Sequence, residues 1–167
     1  MLTNNFYNLL LNEMNMPGQQ TTVTKYNGSA AITIDPMFLL QGLRYVRSGS
    51  PSTAGMYGIF FGTGTTLPTR EDYTLESPIT NGTLSSSCGG VLKGLDADQA
   101  RLYATHEVKN SGSTDVTITE VGVFGCASDT STNVFLLDRT VLDTPITIPA
   151  GQSKSITVAV QFDYPAK

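Results

Sequence analysis

Tryptophan is absent from the 167 residues, histidine occurs once, cysteine occurs twice, and only 14% of the residues are charged. A single histidine routes every imidazole mechanism through His106. A Ser-His-Asp triad would also need a strained nucleophile turn such as G-x-S-x-G, which the chain lacks. Cys88 and Cys126 lie too far apart for a zinc spacing or a C-x-x-C redox pair. They read as two separate thiols, the alternative being a disulfide that requires an oxidising setting. Basic residues are few and scattered: ten Lys plus Arg against fourteen Asp plus Glu give a net charge of −4. Phosphate-driven nucleic-acid binding needs clustered cations and is not expected. No run approaches the roughly 18 apolar residues of a membrane helix, so no membrane partner is expected. The start, Met1 to Phe6, has neither a basic segment nor an apolar stretch ending in a cleavage site. It does not read as a signal peptide, and synthesis in a reducing cytoplasm is expected.

A chain of this length and 40% hydrophobic content can build one core without disulfides or a structural metal. With so few charges, its surface must be largely Thr, Ser, Asn and Gly. Such a surface suits burial against neighbouring subunits better than free solubility.

The first segment carries Phe6, Leu9, Leu10, Glu13 and Met14 near helical spacing. An amphipathic helix over Asn4–Met16 follows, capped by Asn4 or Asn5 and stopped by Pro17-Gly18. It forms an arm over residues 1–18, docked on its own sheet or gripping a neighbouring subunit. The rest, 19–167, reads as strands. Thr21–Tyr26 and Ser29–Ile34 flank Asn27-Gly28, a favoured two-residue hairpin turn, and Asn81-Gly82 is another. Both also match glycosylation sequons, but the turn reading takes precedence without a secretion signal. Residues 48–90, rich in Gly, Ser, Thr and Pro, suit long loops around one strand at Met56–Gly62. Ala100–Val108 alternates, placing Leu102, Ala104, His106 and Val108 on one face. Asn110–Asp115 makes a turn, and the apolar parity then shifts near Thr119-Glu120, which predicts a β-bulge. Val134–Leu142 and Ser155–Asp163 are further strands, separated by a turn at Ile148–Gly151. One-sided alternation predicts an antiparallel sheet with one solvated or interfacial face. The fold expected is all-β, an antiparallel two-sheet sandwich (jelly-roll or immunoglobulin-like) with a short N-terminal helix.

Motifs of chemistry are thin. Gly62-Thr-Gly-Thr-Thr66 resembles a phosphate loop but has no Lys and no following helix, so it reads as a tight turn. His106 sits mid-strand on the apolar face, the place of a core or interface histidine. Asp96 and Asp98 have calcium-loop spacing without the rest of an EF-hand. Glu71-Asp72 and Asp138 with Asp143 are candidate acid pairs for glycoside hydrolysis, with solvated or salt-bridged acids the stronger reading. No catalytic, cofactor-binding or metal residue is assigned, and no enzyme is expected.

Three stretches carry a resemblance: Tyr57-Gly-Ile-Phe-Phe-Gly-Thr-Gly-Thr-Thr-Leu-Pro-Thr-Arg-Glu-Asp-Tyr73, Val116-Thr-Ile-Thr-Glu-Val-Gly-Val-Phe124 and Leu137-Asp-Arg-Thr-Val-Leu-Asp-Thr-Pro-Ile-Thr-Ile-Pro-Ala-Gly151. Over roughly residues 56–164 the chain resembles small structural proteins of tailed bacteriophage particles. The resemblance implies no catalytic residue. It implies a protein that assembles in many copies in a virion, in a tail or neck ahead of a head, inside the bacterial host cytoplasm. The partners expected are further copies of itself and other virion proteins. A second reading is a module at the particle tip that binds a host-surface glycan or protein, using Tyr57, Tyr73 or Tyr103.

Overall fold

The computed structural model describes residues 1–8, 21–33, 46–47, 57–80, 82–95, 99–126 and 134–163. Eight strands run in chain order: β1 (Thr21–Thr24), β2 (Ala30–Thr33), β3 (Gly58–Gly62), β4 (Leu84–Leu95), β5 (Gln99–Asn110), β6 (Val116–Cys126), β7 (Val134–Ile148) and β8 (Ser153–Asp163). They form two three-stranded sheets, β3-β6-β7 and β4-β5-β8, and a two-stranded ribbon β1-β2. Among the described residues every pairing between these eight strands is antiparallel, and Val46 adds one isolated parallel bridge to Ile59 of β3. Residues 4–8 are helical. The remainder of the helix expected to reach Met16 lies outside the described residues.

The two large sheets share one apolar cluster. Ile59, Phe61, Val121, Val123, Phe135 and Leu137 enter it from β3-β6-β7, and Leu84, Ala104, Val108, Ile156 and Val160 enter it from β4-β5-β8. Strands β5 and β8 carry the alternation the sequence predicts. Ala104, His106 and Val108 are buried while Thr105 and Glu107 are exposed; Ile156 and Val160 are buried while Thr157 and Ala159 are exposed.

The β3-β6-β7 sheet departs from that pattern. All five residues of β3 are buried, as are the last seven of β6. Its opposite face holds a second cluster of Tyr57, Phe60, Leu75, Phe124, Cys126, Val134 and Leu136, with Tyr26 packed on it. Phe60 and Phe124 meet edge to face with centroids 5.1 Å apart. This face is therefore covered by the chain's own 63–80 loop and β1-β2 ribbon, and the expectation of one uncovered face holds for only one sheet. Unbroken apolar runs such as Ile59-Phe60-Phe61 are the sequence trace of a strand buried on both sides.

The shift near Thr119-Glu120 is present as a break in register. Ile118 faces Ile146, but Glu120 faces Val141, so the extra residues lie in β7. Strand β7 runs beyond the expected Leu142 to Ile148. The long-loop region also ends earlier than its composition suggests, because Leu84 to Gly90 belong to β4. The Ser- and Gly-rich segment is ordered by pairing along β5, with a register shift between Cys88 and Val91.

Two turns differ from their sequence reading. At Asn27-Gly28 the loop is longer than two residues: Lys25 N–H donates to Ser29 O at 2.8 Å, and only Gly28 has positive φ, at 82°. A two-residue type I′ turn would need positive φ at Asn27 as well. Asn27 instead accepts bonds from the Ser29 amide and hydroxyl. The Asn110–Asp115 turn passes from one sheet to the other rather than closing a hairpin. Buried Asn110 fixes it, donating to Thr114 O and Ile148 O while accepting from Gly112 N–H.

Candidate functional site

Among the described residues, a concentrated group of charges lies where the 63–80 loop crosses β6 and β7. Glu120, on β6, is fully buried. A carboxylate there is tolerable only with a cation and hydrogen-bond donors around it. Arg139, on β7 and 4% exposed, supplies the cation: its Nε donates to Glu120 Oε2 at 2.9 Å. The loop supplies the other donors. The Gly64 and Ser77 amides bind Glu120 Oε1 at 3.1 and 2.7 Å, and the Glu76 amide binds Oε2 at 3.1 Å.

The remaining guanidinium nitrogens reach back to the loop. Nη1 donates to Asp72 Oδ2 at 2.8 Å and Nη2 to Glu76 Oε2 at 3.3 Å. Glu76 in turn accepts from the Thr65 and Thr66 amides and the Thr66 hydroxyl. Asp72 accepts from the Thr69 amide and hydroxyl. The Gly-Thr-Gly-Thr-Thr segment is thus an anion cradle already filled by Glu76 and Glu120. Its glycines are required by closeness: a Cβ on Gly62 would lie 2.3 Å from Glu120 Oε1 and 2.7 Å from Ser77 O, and one on Gly64 would lie 2.7 Å from the Glu120 carboxyl carbon.

Burial alone would push the Asp72 pKa up, but the bonds from Arg139 and Thr69 outweigh it and hold the group below its ordinary 3.8. Glu76 is held below its ordinary 4.5, first by the Thr66 amide and hydroxyl and then by Thr65 and Arg139. Burial works against the Arg139 charge, yet its bonds to Asp72 and Glu120 hold its pKa above the usual arginine value. Carboxyls with lowered folded pKa contribute stability that is full above their ordinary values and lost as pH falls through the folded ones. The midpoint of denaturant unfolding is therefore expected to stay level from pH 7 to about 5 and to fall progressively below pH 4.5 and 3.8. A midpoint that rises on acidification would contradict this arrangement.

The other sequence candidates are dispersed. His106 is fully buried on β5, in the sheet that does not carry the Arg139 group. Cys126 is a buried thiol on β6 and Cys88 lies on β4, in different sheets. Glu71 is exposed beside Asp72, Asp138 is half-buried against the chain's first residues, and Asp143 is exposed. Asp96 and Asp98 lie outside the described residues. Tyr57 is buried in the second cluster and offers no contact surface, a correction to its reading as a glycan-binding aromatic. Tyr73 is 41% exposed and borders a shallow depression of about 320 Å³ with Thr66, Glu71, Asp72 and Glu76. Tyr103 is half-buried on β5.

Sequence reasoning did not assemble Glu120 and Arg139. The available signal was a Glu and an Arg inside the apolar runs of Ile118–Phe124 and Leu136–Val141, where unpaired charge is too costly to keep. Among the described residues, no group of three His, Cys, Asp or Glu side chains is placed to hold a metal, and no helix is long and apolar enough to cross a membrane. Comparison with protein-family models, curated proteins and solved structures gives no match for this chain.

Proposed function

We propose that the chain is a structural component of a tailed-bacteriophage particle, in its tail or neck, acting by association with copies of itself and with other virion proteins. The observation that carries this reading is the meeting point around Arg139. Each of the three stretches that bear the resemblance contributes to it: Gly62, Gly64 and Asp72 from the first, Glu120 from the second, Arg139 from the third. Phrases tied by one cluster of bonds depend on each other, which shared composition alone does not require. The two sheets are read as a sandwich of jelly-roll or immunoglobulin-like type.

The outer face of β4-β5-β8 supports association through that sheet. Ser85, Ser87, Thr105, Thr157 and Ala159 are exposed there, with Thr105 and Thr157 hydroxyls 2.8 Å apart, and exposed Glu107 and Lys109 lie on the same face opposite Ser87 and Ser85. The small neutral groups can be covered with little desolvation of charge, while Glu107 and Lys109 need partners of opposite sign on the copy that covers them. Light scattering is expected to show a molecular mass that rises with protein concentration, and electron microscopy regular multimers. A strict monomer at high concentration that also fails to bind phage particles would overturn the proposal.

A second reading, a glycan-binding module at a particle tip, draws support from Tyr73 beside its polar depression. Glycan-array binding that disappears in Tyr73→Ala, with the unfolding midpoint unchanged, would favour it over the first.

A further inference from the structure

We propose that residues 1–8 are an exchangeable arm, which seats on the β7 edge of a second copy of this chain as it does on its own. The proposal rests on the self-assembly reading and adds a second contact to it, at the β7 edge of the other sheet.

The arm is held by contacts that any copy can reproduce. Leu2 lies antiparallel to Asp138, with Thr3 N–H donating to Leu137 O at 2.9 Å and Arg139 N–H donating to Met1 O at 3.0 Å. This is strand addition to a sheet edge, a mode that uses main-chain groups and is indifferent to which molecule supplies the strand. Specificity comes from the next residues. Asn5 copies a peptide group: its side chain donates to Thr24 O and accepts from Thr24 N–H, at 2.8 and 2.7 Å, and donates to Leu136 O at 3.1 Å. Phe6 then enters the shared core and is 2% exposed. The seat therefore recognises a short segment with a strand, a polar clamp and an apolar plug, and the occupant that matches it is the same segment of a sister chain.

The bonds are identical within one molecule and between two, so only the tether decides. Twelve residues separate Asn8 from Thr21, a contour of about 40 Å at full extension. An intramolecular link of that number of residues corresponds to an effective concentration on the order of mM, which neighbouring copies in an assembly can rival. Exchange of identical elements is a low-cost route to association for this reason.

The test uses two full-length variants, Leu2→Cys in an unlabelled chain and Asp138→Cys in an isotopically heavy chain. The two flanking bonds make Leu2 and Asp138 a non-hydrogen-bonded pair, whose Cα atoms in such ladders lie about 4.5 Å apart. That distance is within the range a disulfide bridges, about 4.4–6.8 Å. The mixed chains are oxidised at high concentration, with the parent chain as the control for bonds through Cys88 and Cys126. A light–heavy dimer whose linked peptides map to positions 2 and 138 is expected, and its loss when Phe6→Ala is added to the Leu2→Cys chain. Failure of that bond, while the Leu2→Cys/Asp138→Cys double variant closes it within one chain, would overturn arm exchange. Light scattering on the same mixture separates the two readings. Multimers without the crossed disulfide refute the arm alone, whereas a strict monomer refutes self-assembly with it.

Discussion

Arg139→Leu is expected to lower the unfolding free energy by about 3–5 kcal/mol, the range for removing one partner of a buried ion pair. The reason lies in what stays behind. Glu120 is fully buried, and its nearest cation is the Arg139 guanidinium at 2.9 Å. Leucine fills part of the volume but leaves the carboxylate with backbone donors only. Asp72 and Glu76 lose the same cation, at 2.8 and 3.3 Å. Because Arg139 contributes to the lowered pKa of both, the acid limb of the stability profile should also become shallower in the variant. Chemical denaturation across pH 2–7 measures both effects. A change below about 1 kcal/mol, the worth of an exposed pair, would mean that the cluster is a surface ornament.

Leu75→Ala is expected to cost about 2–5 kcal/mol, the range for truncating a buried leucine. Leu75 is 3% exposed and belongs to the cluster of Phe60, Phe124 and Leu136. It also packs against the bare backbone of Gly122, where a Cβ would come within 2.8 Å of its Cδ2. The side chain is thus the apolar counterpart of the Arg139 bonds, one holding the loop by packing and the other by charge. The two variants should differ in their response to acid. Leu75→Ala removes no titrating partner, so its profile should run parallel to that of the parent chain at every pH. A loss under 1 kcal/mol would show that the loop does not seal this face. The double variant measures whether packing and charge act together, since neighbours in one structural unit are rarely additive.

Much of this fold can be read from residue order. The alternation in β5 and β8, the left-handed glycine of the Ile148–Gly151 turn with φ of 74°, and the disturbance at Thr119-Glu120 all follow from local rules, whereas Asn81-Gly82 joins no paired strands because β4 pairs with β5. What escapes such reading is the allocation of strands to sheets. Asn110–Asp115 has the length and composition of a hairpin turn, yet its two strands pair with different neighbours. Contacts between groups distant in sequence, such as the Asn110 side chain donating to the Ile148 carbonyl, bear on that choice. The site was hidden for the same reason. Asp72 and Glu76 lie in a loop where solvation is the ordinary fate of an acid. Arg139 follows an Asp and resembles a surface pair, until the buried Glu120 two strand positions from a bulge demands a partner.

The separation between these partners also bears on how the molecule forms. Asp72 and Arg139 are 67 residues apart in the chain, and Gly64 and Glu120 are 56 apart. Loop closure must precede any gain from such contacts, so the 63–80 segment is expected to dock after the β6–β7 hairpin, whose partners are closer in sequence. At ribosomal speeds of about 5–20 residues per second, that leaves several seconds in which Phe60 has been made and Arg139 has not. During that interval Phe60 and the 63–80 segment exist in the nascent chain without the Glu120 and Arg139 side chains that tie the segment down, and the aromatic strand is open to other partners.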